Sequence, residues 1–162
     1  MTFTRWRGLF PLAVTLHNWE EAWRFPAWSQ ATVGWPRPVT PAEFWFAIAG
    51  LTLAARVITG LSQRMGPQSW ATYLLVSDGA AMGFNVFVSH VLVTVRSQQY
   101  MPGLATALLV NLPVMSGLIY TAIREMGLDG RRLLLVSGGV TGALLAVLPL
   151  LFAIGQQGAR LL

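Results

Sequence analysis

The sequence predicts an all-α integral membrane protein, a bundle of five hydrophobic helices forming one domain over residues 1–162. Three observations carry that expectation. Charged side chains make up 10% and hydrophobic ones 54% of the 162 residues, whereas a soluble domain carries about 25% charged residues. Mean hydropathy is +0.56. Five apolar stretches alternate with turns rich in Pro, Gly and Arg. There is no Cys, which excludes a disulfide framework and a thiolate metal site. The net charge of +5 comes from Arg alone. These arginines are dispersed one or two per turn, as headgroup anchors are, and form no stripe that nucleic acid would need.

The first helix is expected at about 8–24. From Pro11 to Arg24 it covers roughly 21 Å at 1.5 Å per residue, less than the ~30 Å hydrocarbon core. It is therefore expected to be short, either crossing with help from the preceding residues or re-entering. Arg5, Arg7 and the run Gly8 to Leu16 resemble a signal peptide, but no small-x-small cleavage site follows, so the segment is expected to belong to the mature chain. Phe25 to Pro41, with Pro26, Pro36, Pro38, Trp28 and Trp35, reads as an interfacial loop.

The second helix, about 42–63, is announced by Thr40-Pro41-Ala42-Glu43, a capping box with proline at the first helical position. The third, about 69–95, is the most polar, with Asp78, Asn85, Ser89 and His90. Asn85 and Ser89, one turn apart, are expected to hydrogen-bond to neighbouring helices. The fourth, about 104–123, should be kinked by Pro113, which leaves one carbonyl unpaired. The fifth, about 133–155, has no charge, and Gly138 and Gly142 give it a face for close packing.

Orientation follows from the arginines. With a cytoplasmic N-terminus and five crossings, Arg5, Arg7, Arg64, Arg124, Arg131 and Arg132 lie inside, and Arg24, Arg37, Arg96 and Arg160 outside. The expected location is a bacterial-type inner or plasma membrane, N-terminus in.

In Leu16-His17-Asn18-Trp19-Glu20-Glu21, one helix face gathers a histidine and two carboxylates, because positions i, i+3 and i+4 fall within about 100°. The first and third helices run in the same direction. His17 lies seven residues before Arg24 and His90 six before Arg96, so both sit roughly 9–10 Å below one membrane face. Tyr100-Met101-Pro102-Gly103 follows on that side. A single site from His17, Glu20, Glu21 and His90, with Tyr100 above it, is the expectation. The same depth argument sets Arg56 opposite Asp78, and a buried lone charge usually pairs, so an Arg56–Asp78 ion pair that orients the bundle is expected.

His17-Asn18-Trp19-Glu20-Glu21, His90 and Tyr100-Met101-Pro102-Gly103 together resemble the HXXEE domain family, matching its name-giving pattern, its second histidine and its YxPG motif in order. The resemblance runs by motif from Leu9 to Pro113. It implies a small multi-helix membrane protein of unknown function.

Imidazole and carboxylate suit Zn²⁺ and non-haem Fe²⁺ alike, so His17, Glu20, Glu21 and His90 are candidate ligands and Glu20, Glu21 and Tyr100 candidate catalytic groups. The spacing is neither that of the zinc-protease helix nor that of a di-iron bundle, which favours one ion over two. The functional expectation is a metal-dependent, hydrolase-like membrane enzyme acting on a lipid-soluble or interfacial substrate. Two alternatives stand beside it. One is a metal-free proton-linked transporter or ligand-binding protein; the other is a structural cluster in which Arg24 pairs with Glu20 or Glu21. No nucleotide fingerprint is present.

Overall fold

A computed structural model describes residues 1–159. It is all-helical, with five helices and no strand among the described residues. They are α1 (Phe3–Ala31), α2 (Pro41–Met65), α3 (Trp70–Ser97), α4 (Leu104–Arg124) and α5 (Gly130–Ala159). The last four are long and apolar enough to cross a membrane. Arg160, counted above among the outer arginines, lies outside the described residues.

The first helix is not short. It has 29 residues, about 43 Å at 1.5 Å per residue, and it absorbs much of the expected Phe25–Pro41 loop. Proline removes a single intrahelical hydrogen bond, and at Pro26 packing outweighs that loss. Phe25 stacks on Phe44 and Trp28, with ring centroids 4.8 and 5.8 Å apart. α1 carries Arg5, Arg7, His17, Glu20, Glu21 and Arg24 along its length and is the most polar of the five.

The capping box forms at α2. Thr40 Oγ1 accepts from the Glu43 amide at 3.3 Å, and Glu43 Oε2 accepts from the Thr40 amide at 2.6 Å. Before Pro113 the residues Ala107–Asn111 widen into a π-helix, the kind of local adjustment that accommodates a missing N–H. A second π stretch, Val86–Val91, interrupts α3.

α1 packs against α2 and α4, whereas α3 packs against α2, α4 and α5. Gly117 of α4 allows the contact with α1 to be close, since a Cβ there would strike the Trp6 ring. Two apolar clusters hold α1. One takes in Phe3, Phe10, Ala13 and Val14 together with Leu75 and Leu118, and the other Ala22 and Phe25 together with Phe44, Ile48 and Met101. Residues 17–21 lie between them, so burying the two ends of the helix carries its polar middle into the bundle.

Candidate functional site

His17 continues the buried stripe Phe10, Ala13, Val14, and is 1% exposed. Glu21, one turn later, shares its face. From α3, fully buried His90 meets them. The two imidazole centroids are 4.8 Å apart with planes at 82°. Glu21 Oε2 is 3.8 Å from His17 Nε2, and Oε1 is 3.6 Å from His90 Nε2. One donor atom from each of the three side chains lies within 4.8 Å of the others.

Glu20 does not join this cluster. It follows a turn of about 100° away from Glu21, which aims it at the start of α4. There its Oε2 accepts from the Thr106 amide at 2.9 Å and from Thr106 Oγ1 at 2.6 Å, and its Oε1 accepts from the Tyr100 hydroxyl at 2.5 Å. Tyr100 in turn accepts from the Ala105 amide at 3.0 Å. Burial first, and then the hydrogen bond given to Glu20, raise the Tyr100 phenol above its ordinary pKa. It stays a protonated donor at neutral pH.

Hydrogen bonding assigns the ring tautomers. Thr106 Oγ1 lies 3.1 Å from His17 Nδ1, and its two other neighbours, Glu20 Oε2 and the Gly103 carbonyl, only accept. The single hydroxyl proton goes to one of those, so His17 must donate from Nδ1. Its Nε2 lone pair then faces Glu21. Ser89 Oγ donates to Asn85 Oδ1, which turns the Asn85 amide nitrogen to His90 Nε2 at 3.3 Å. That nitrogen too carries a lone pair. Two imidazole lone pairs and a carboxylate therefore converge.

Asn85 was not expected to touch the site, and the reason is geometric. Residues five apart on an α-helix are about 140° apart, but a π-helix brings them onto one face. Asn85 and His90 meet because the π stretch lies between them. Thr106 is a second site residue without a sequence signal, since a lone Thr at a helix start reads as a cap.

Gly103 closes the cluster from above. Its φ is +90°, and a Cβ there would stand 2.8 Å from Glu21 Cγ, 2.8 Å from His90 Cε1 and 2.9 Å from His17 Cε1. Only glycine leaves room for these three groups together. The Tyr100–Gly103 turn thus serves the site at both ends: Tyr100 through Glu20, Gly103 by contact.

One expectation and one alternative are corrected. Arg56 and Asp78 form no ion pair among the described residues. The depth argument places them correctly, because Ala55 and Asp78 line one cavity, but Arg56 is one residue further round α2. It faces α1 and donates to Thr15 Oγ1 at 3.4 Å. Likewise Arg24 is exposed and makes no ion pair with Glu20 or Glu21 among the described residues.

The three donors form a cluster that could hold a metal ion, the widest separation between them being 4.8 Å. Tetrahedral ligands at about 2.0–2.2 Å from zinc lie roughly 3.3–3.5 Å apart, so an ion would require the carboxylate-to-imidazole distances of 3.8 and 3.6 Å to close slightly and the widest donor separation to close by more. Beside the cluster, a groove of about 600 Å³ runs between α1 and the Tyr100 turn, lined by Trp19, Glu20, Trp23, Tyr100 and Thr106 among others. Trp19 and Trp23 are exposed there.

Residues 8–117 match the family described as protein of unknown function with HXXEE motif. The chain is 35% identical over 150 residues to the uncharacterized protein YrkK of Bacillus subtilis (strain 168), covering 93% of this chain and 95% of that one. No solved structure matches.

Proposed function

The chain belongs to the HXXEE family of membrane proteins of unknown function, and on that premise we propose that it is a membrane-embedded, metal-dependent enzyme of hydrolase type. In this reading His17, Glu21 and His90 hold one Zn²⁺ or Fe²⁺, and the substrate is interfacial, arriving along the groove beside Trp19 and Tyr100. The observation that carries the reading is the convergence of two Nε2 lone pairs on a carboxylate. Two imidazole nitrogens and one carboxyl group offer the kind of donor set that binds Zn²⁺ or Fe²⁺.

Two histidines and one glutamate make the three-protein-ligand set that leaves a position for water or substrate. When bound, the ion would polarise an acyl or phosphoryl oxygen and acidify a coordinated water. The chain's own residues prepare the place. Thr106 fixes the His17 tautomer, Asn85 and Ser89 orient His90, and Gly103 excludes solvent from one side. Glu20 and Tyr100 act as positioning residues, since their oxygens are taken up in holding Thr106 and the turn.

The test is elemental analysis of the full chain purified without chelator. About one Zn or Fe per chain, lost in His17→Ala and His90→Ala while both variants remain folded, is the expected result. A folded wild-type chain that carries no metal and takes up none on addition of Zn²⁺ or Fe²⁺ overturns the reading, leaving the cluster as a proton or ligand network.

A further inference from the structure

Asp78 is the one polar lining group of a second cavity that the chain leaves uncommitted, and we infer that this cavity binds a lipophilic organic cation, a protonated amine on a single alkyl tail, with Asp78 as its anchor. The cavity has a volume of about 280 Å³ and lies among α1, α2, α3 and α5. That is just below the roughly 300–1,000 Å³ of small-molecule sites.

Its polar lining consists of Asn18, Asp78, Asn85, Ser89 and Thr141. Four of these are occupied: Asn18 donates to Thr52 at 2.7 Å, Ser89 donates to Asn85, Asn85 faces His90, and Thr141 donates to the Ser137 carbonyl at 2.8 Å. The Asp78 carboxylate has no hydrogen-bond or ion-pair partner among the described residues. Arg56, the cation at its depth, faces the other way and donates to Thr15. An ionisable group inside a membrane pairs with something, and here the chain does not supply the partner.

The rest of the wall is apolar, including Leu51, Leu144 and Leu148. At its rim Phe84 and Leu145 are 59% and 70% exposed, on helices that cross the membrane. A ligand therefore reaches the cavity from the lipid side with its tail among leucines and its charge at Asp78. A neutral alcohol of the same length would gain the tail contacts and lose the ion pair.

Decylamine and decanol, below their aggregation limits, are the probes, and the readout is the thermal unfolding midpoint of the full chain in nanodiscs. A ligand that binds the folded state raises that midpoint. Decylamine should raise it by several degrees more than decanol, and Asp78→Asn should abolish the difference. Leu148→Trp, which keeps the carboxylate but fills the cavity, should abolish it too and stands in should Asp78→Asn fail to fold. An amine no better than the alcohol, or a preference surviving in either folded variant, overturns the inference. Metal content is measured in the same samples and should be unchanged in both variants, so this site and the metal reading fail separately.

Discussion

Thr106 Oγ1 stands 3.1 Å from His17 Nδ1 and can only accept from it, because its own proton is held by Glu20 or by the Gly103 carbonyl. One hydroxyl therefore sets which nitrogen of His17 faces Glu21. Removing such an outer partner typically lowers metal affinity by about 10–100-fold. Thr106→Val should do so and Thr106→Ser should not, read by competition with a calibrated chelator. Equal affinity in both variants would detach Thr106 from the site.

Gly103→Ala should damage the site more than a positive φ explains. The left-handed conformation alone costs a non-glycine residue roughly 1–2 kcal/mol. Gly127, at φ +65°, would meet its nearest atom only at 3.7 Å, whereas Gly103 would meet three at 2.8–2.9 Å. In thermal unfolding Gly127→Ala should lose only the conformational cost. Gly103→Ala should lose clearly more, along with metal uptake.

Tyr100 links the turn to Glu20, so Tyr100→Phe should cost about 1 kcal/mol and leave metal stoichiometry unchanged. The direction of its pKa shift fixes a pH dependence. A phenol whose folded pKa is raised stabilises the fold at pH below its unfolded value of 10.0, and that contribution is lost as pH rises through the folded pKa. The tyrosinate absorbance of wild type minus that of Tyr100→Phe should therefore titrate above pH 10.0. A difference titration below that pH would contradict the geometry.

Arg56 and Asp78 should not couple. In a double-mutant cycle with Arg56→Gln and Asp78→Asn, stability changes should add within about 0.5 kcal/mol. A larger coupling would restore the ion pair that helix depth alone suggested.

That pair shows what the sequence could and could not reveal. Helix count and depth follow from hydropathy and a constant rise of 1.5 Å per residue. They set His17 level with His90 across a long stretch of chain, and the rings do meet. Direction around the helix is less legible. Arg56 and Glu20 each stand one residue from a position that faces the interior, and each turns elsewhere. The π stretch at Val86–Val91 shifts α3 off the α-helical period, which is why Asn85, expected to bond to a neighbouring helix, instead meets His90 of its own. The length of α1 was hidden for a different reason: Pro26 breaks a helix by local preference, and only stacking against Phe44, remote in sequence, carries the helix through it.

The metal environment itself is the most direct check. X-ray absorption at the metal edge of the loaded full chain should show light-atom ligands at about 2.0–2.2 Å, with the outer-shell pattern of two imidazoles. His17→Ala and His90→Ala should leave no metal-edge signal, because each loses the ion, and Glu21→Gln should alter the first shell. A spectrum without imidazole scattering, or one indifferent to all three substitutions, would contradict a centre built from His17, Glu21 and His90.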